Sequence, residues 1–113
     1  MITILHNPRC GKSRECMVFA EESNQEIIVR KYLDNPLTHQ EIKDLIKLLN
    51  IKPVELVRQK EKIWIENYKG KLLTDDKIIN AMAENPILIE RPIVIKGNKA
   101  VIARPAEKIF ELI

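Results

Sequence analysis

A chain of 113 residues that is 45% hydrophobic and 31% charged has the composition of one ordinary globular domain with a single modest core. Its net charge of +3 is too small an excess to argue for nucleic acid, and reads as a solvated surface of mixed charge. Two cysteines, Cys10 and Cys16, are too few for a disulfide scaffold or a four-cysteine zinc site. No long apolar run marks a signal peptide or a membrane span, so neither membrane nor metal is expected and a reducing cytoplasm is the expected compartment.

Residues 2–5 read as a short buried strand. A turn, His6-Asn7-Pro8-Arg9, leads to Cys10, and residues 13–23 read as a helix with Cys16, Met17, Phe19 and Ala20 available for an inner face. Ile27, Ile28 and Val29 mark a second buried strand within 26–32, and Asp34-Asn35-Pro36 is a turn. Thr38-His39-Gln40-Glu41 is a capping box, followed by Ile42, Leu45, Ile46 and Leu49 at helical spacing, with Asn50 and Pro53 closing the helix. Residues 54–69 suggest short helices around Arg58 and Trp64, and Gly70 breaks them. Thr74-Asp75-Asp76 opens another helix that turns Ile78, Ile79 and Met82 inward and stops before Pro86. Two apolar runs, 92–95 and 100–103, flank Lys96-Gly97-Asn98-Lys99 as an antiparallel hairpin. Pro105 then opens a last helix carrying Ile109, Phe110 and Leu112.

The order strand, helix, strand suits a right-handed βαβ unit with parallel strands. With the hairpin and final helix added, it predicts an α/β fold: a thioredoxin-like, glutaredoxin-type mixed sheet flanked by helices. One domain is expected over 1–113, with a helical insertion at about 38–86.

Cys10 falls after the first strand, where a helix starts. Unpaired N–H groups and about half a positive charge gather there and favour thiolate over thiol; such cysteines have pKa values of roughly 3.5–7.5. Rival motifs fail. Gly11-Lys12-Ser13 resembles the tail of a phosphate-binding loop, but the required earlier glycine is His6. A cysteine phosphatase loop would place arginine where Cys16 stands. What remains is Cys10-Gly11-Lys12-Ser13, a one-cysteine version of the C-x-x-C redox motif, in which Ser13 can donate a hydrogen bond to the thiolate but cannot resolve a disulfide. Cys16 lies about 600° further round a helix, on another face, and reads as a small core residue.

The segments His6-Asn7-Pro8-Arg9-Cys10-Gly11-Lys12-Ser13-Arg14, Leu56-Val57-Arg58-Gln59-Lys60, Asn85-Pro86-Ile87-Leu88-Ile89-Glu90-Arg91-Pro92-Ile93-Val94 and Ala103-Arg104-Pro105 resemble those of the glutaredoxin-coupled arsenate reductases, nearly end to end and in order. The Pro-Arg-Cys loop and Arg58-Gln59-Lys60-Glu61 are closest to an arsenate-reductase-like subgroup. The resemblance implies that Cys10 attacks arsenate, that Arg58, Arg91 and Arg104 hold the oxyanion, that His6 supports the thiolate, and that Pro92 is cis. Arg14, a positive charge close to Cys10 in the chain, reads with Ser13 as further thiolate support or as a solvated helix residue. The resemblance also implies no bound cofactor, glutathione as co-substrate and glutaredoxin as partner. The chemistry is coherent, because an anionic thiolate approaching an anion needs guanidinium groups, which stay charged and present planar paired donors.

Each assignment has a plainer counterpart. Cys10 could be an inert thiol, the arginines surface ion-pair partners, and His6 a simple hydrogen-bonding residue. Trp64 and Tyr68 read as packing for the inserted helices. Two other functions share this fold: an Spx-type regulator docking on RNA polymerase, which usually senses oxidation through C-x-x-C where this chain has Ser13, and a monothiol glutaredoxin-like protein, for which the chain lacks a glutathione-binding Gly-Gly pair.

Overall fold

The computed structural model describes all 113 residues. The chain forms two compact units, one of Met1–Asn35 with Arg91–Ile113 and one of Pro36–Glu90. The stretch expected as an insertion at about 38–86 lies inside the second.

The first unit is built on a mixed sheet. Strands β1 (Ile2–Leu5), β2 (Ile27–Arg30), β3 (Ile93–Lys96) and β4 (Lys99–Ile102) lie in the order β2-β1-β3-β4. β1 runs parallel to β2, with Ile2 opposite Ile27, and antiparallel to β3, with Ile4 opposite Val94. β3 and β4 form the expected hairpin, and Gly97 turns it at φ +59, a conformation that favours glycine. Helix α1 (Gly11–Glu22) begins two residues before the sequence-based estimate, directly after Cys10. Alternation in β1 sends Ile2 and Ile4 into one core with Cys16 and Ala20 of α1, Val94 of β3, and Ala103, Ala106 and Ile109.

Two expectations need correction here. β2 is an edge strand, not a buried one, and leaves Ile28 45% and Val29 41% exposed. Its apolar run resembles that of a central strand because β-branched residues suit either place; only the partner strands decide. The last helix is a 3₁₀ helix, Ala106–Glu111. Its three-residue repeat keeps Ala106 and Ile109 inward and turns Phe110 out, 54% exposed, where its ring meets that of Phe19 at 5.1 Å.

In the second unit, α2 (His39–Leu49) starts on a complete capping box. Thr38 Oγ1 accepts from the Glu41 N–H at 3.1 Å, and Glu41 Oε1 accepts from the Thr38 N–H at 3.0 Å. Asn50 ends it in the left-handed region at φ 54. A 3₁₀ turn (Pro53–Leu56) precedes the short α3 (Lys62–Asn67), where Trp64 stacks on Tyr68. Helix α4 (Asp75–Glu84) is capped by Thr74, with Asp75 and Asp76 in its first turn; it packs on α2 and buries Ile78, Ile79 and Met82. No helix is long and apolar enough to cross a membrane.

Candidate functional site

β1 ends at Leu5, and the next four residues turn the chain so that Cys10 becomes the N-cap of α1, in extended backbone at φ −96 and ψ 123. The turn is tied from several sides. Asn7 Oδ1 accepts from the Arg9 N–H at 3.0 Å, and the Asn7 carbonyl accepts from the Cys10 N–H at 3.0 Å. Ser13, fully buried one turn into the helix, receives the Asn7 N–H on Oγ at 3.0 Å and lies 2.6 Å from His6 Nδ1. From the outside, Arg14 Nη1 donates to the Pro8 carbonyl at 3.0 Å.

This setting primes the thiol. Burial pushes Cys10 up, but the Ser13 N–H, the Arg91 side chain and the Lys12 N–H together pull it down to about 7. Ser13 therefore acts on the sulfur through its main chain. The hydroxyl expected to donate to the thiolate is occupied by His6 and Asn7, because it points into the loop. Arg14, likewise expected beside the thiolate, donates one of its N–H groups to the Pro8 carbonyl. His6 is 8% exposed, and its pKa is held below the usual value by burial and by the positive charges of Lys31 and Arg14, so it is neutral at pH 7. Its ring contact is with Ser13.

Arg91 enters from the segment before β3, and the Arg91-Pro92 bond is cis. Its Nε and Nη1 are buried and have no hydrogen-bond partner in the protein. A buried guanidinium nitrogen without a partner costs about 1–3 kcal/mol or more, which an oxyanion would recover. Arg104 precedes a second cis bond, to Pro105, and donates from Nη1 to the Arg91 carbonyl at 3.2 Å. The first unit thus gathers Cys10, Arg91 and Arg104. Arg58 belongs to the second unit; its N–H donates to the Leu88 carbonyl at 2.7 Å and its Nε pairs with Glu61 Oε1 at 3.3 Å.

Cys16 is fully buried in the core, and burial pushes its thiol up to about 11, so it is inert beside Cys10. No group of three or more His, Cys, Asp or Glu side chains could hold a metal ion. Two features were missed at the sequence level: the second cis bond and the role of Asn7 in tying the loop. The Asn7-Pro8 pair, a turn signal, pointed toward the latter.

A profile of the ArsC family matches residues 5–112. An arsenate reductase of Neisseria meningitidis is 38% identical over 110 residues, covering 96% of this chain and 94% of its own. An uncharacterised protein of Escherichia coli K12, YfgD, is 41% identical over 114 residues, covering 99% and 96%. Among solved structures, that of an arsenate reductase from Vibrio cholerae superposes with a TM-score of 0.95 at 38% identity, covering 99% of this chain and 97% of that one.

Proposed function

The chain belongs to the ArsC family, and on that premise we propose that it reduces arsenate, or a closely related tetrahedral oxyanion, to arsenite through a covalent adduct on Cys10. Glutathione supplies the second sulfur, and glutaredoxin restores the enzyme in the cytoplasm. The observation that carries this reading is the pairing of a thiol poised at about 7 with the buried, unpartnered Nε and Nη1 of Arg91.

In the first step the Cys10 thiolate attacks arsenic, one arsenic–oxygen bond breaks, and that oxygen leaves as water after taking up two protons. Arsenic remains pentavalent. Arg91 and Arg104 offset the repulsion between thiolate and oxyanion and stabilise the charge that builds during attack. Glutathione then attacks the adduct. Two sulfurs become a mixed disulfide, and the electron pair reduces arsenic to the trivalent state, released as arsenite. The third thiol, from glutaredoxin, takes the glutathione off Cys10. One protein cysteine suffices, in keeping with Ser13 in place of a second one and Cys16 sealed in the core. For Arg58 and for His6 as thiolate support, the assignment rests on the family resemblance.

The test is arsenite formation from arsenate, glutathione and glutaredoxin by wild type and Cys10→Ser. Turnover by the first and none by the second is expected. No arsenite from wild type with both reductants present would refute the arsenate reading.

A further inference from the structure

An open cavity of about 250 Å³ lies against the cysteine loop and is lined by His6, Asn7, Pro8, Arg9, Lys31, Leu33 and Asp34. Neither Arg91 nor Arg104, the arginines assigned to the oxyanion, contributes to it. Both of its walls are held firmly. One is the loop tied by Ser13 and Asn7. The other is the turn after β2, where the Lys31 carbonyl accepts the N–H groups of Asp34 and Asn35 at 3.0 and 2.9 Å. The His6 N–H to Arg30 carbonyl bond, 2.9 Å, joins the two walls.

The charges on this cavity have a specific pattern. Arg9 and Lys31 are exposed cations and Asp34 an exposed anion, and none of them forms an ion pair within the protein. Leu33 adds an apolar side chain to the lining. Two cations and one anion complement a molecule with two carboxylates and one ammonium group. Arg9 adjoins Cys10 in the chain, about 3.8 Å on between Cα atoms, while a tripeptide can extend about 10 Å. A small peptide anchored on Arg9 is thus long enough to span the one-residue step to Cys10.

We propose that this cavity binds the second thiol of the reaction, a small peptide thiol of the glutathione type, with Arg9 and Lys31 on its carboxylates and Asp34 on its ammonium group. The inference rests on the reductase reading above and adds the place where the reductant docks. The oxyanion then lies against Arg91 while the thiol approaches from the His6 side, so the two substrates do not compete for the same cations.

The test uses the unreactive thioether S-methylglutathione and needs no arsenate, so it stands or falls apart from the reductase reading. In a backbone NMR titration of the full chain, saturable shifts are expected at Asn7, Arg9, Lys31, Leu33 and Asp34. Arg9→Gln and Lys31→Gln should each weaken binding about fivefold, the scale of one partly exposed ion pair. Lys31→Arg should keep it. Asp34→Asn should weaken S-methylglutathione about fivefold while leaving its N-acetylated form, which has no ammonium group, unchanged. Shifts confined to the surroundings of Arg91 and Pro92, or wild-type affinity in both glutamine variants, overturn the proposal. Loss of arsenate turnover with the titration intact would instead count against the reductase reading alone.

Discussion

Arg104 donates from Nη1 to the main-chain carbonyl of Arg91, 3.2 Å away, so one guanidinium holds the backbone from which the other reaches Cys10. The two arginines therefore have unequal roles. Arg91 acts on the sulfur through its own side chain. Arg104 adds charge and fixes the peptide that carries Arg91.

Arg91→Ala should lower kcat/KM for arsenate about 10²–10³-fold, the usual loss for a donor aimed at developing charge. Arg104→Ala should cost less. Arg104→Lys, which keeps the charge but has no planar fork, should recover only part of it. Steady-state arsenite formation decides this, and equal losses in the two alanine variants would contradict the hierarchy.

The rate of iodoacetamide alkylation at Cys10 should rise with pH through a midpoint of about 7, because only the thiolate reacts. In Arg91→Ala the midpoint should move upward, since the thiolate then loses a hydrogen bond and a nearby positive charge. A midpoint unchanged by the substitution would mean that Arg91 does not stabilise the thiolate.

Ser13→Ala should destabilise the fold by about 1–3 kcal/mol, because it strands the Asn7 N–H and the His6 ring in a buried place. The main-chain N–H that faces Cys10 survives the change. Its alkylation midpoint should therefore shift less than in Arg91→Ala. Denaturant unfolding and the same alkylation profile measure both effects.

His6 has a folded pKa below its unfolded value, so the unfolded chain binds more protons in the window between them. Its contribution to stability is complete above the unfolded value of 6.5 and is lost as pH falls toward the folded one. The midpoint of unfolding in guanidinium chloride should therefore fall as pH is lowered below 6.5 in wild type, and His6→Gln should flatten that fall.

Cys16→Ala should leave turnover unchanged and cost about 1 kcal/mol for the small cavity created beside Ile2 and Ile4. Loss of turnover in a folded Cys16→Ala protein would give this thiol a part in the chemistry.

Local chemistry made much of this molecule readable in advance. The capping box at Thr38 and Glu41, the Gly97 hairpin and the apolar face of α4 each depend on residues a few positions apart, and their elements appear where the pattern places them. The edge position of β2 was not readable, because Ile27, Ile28 and Val29 look alike whether or not a further strand covers them. The site shows the same division. Cys10 at a helix start could be placed from its own neighbours. The destination of the Ser13 hydroxyl could not, since His6, Asn7 and the sulfur all lie within a few residues and only the path of the loop chooses among them. The contact of Arg104 with the Arg91 carbonyl depends on the fold of the whole hairpin.

The burial of Cys16 also decides how an oxidised Cys10 can be rescued. A mixed disulfide formed at Cys10 has no internal exit, because the only other thiol is fully enclosed and protonated. Its lifetime is then set by whichever thiols the surroundings supply. Many dithiol enzymes must be mutated before their mixed disulfides can be caught; here the unaltered chain is its own trap, and intact mass after quenching would identify the attached group directly.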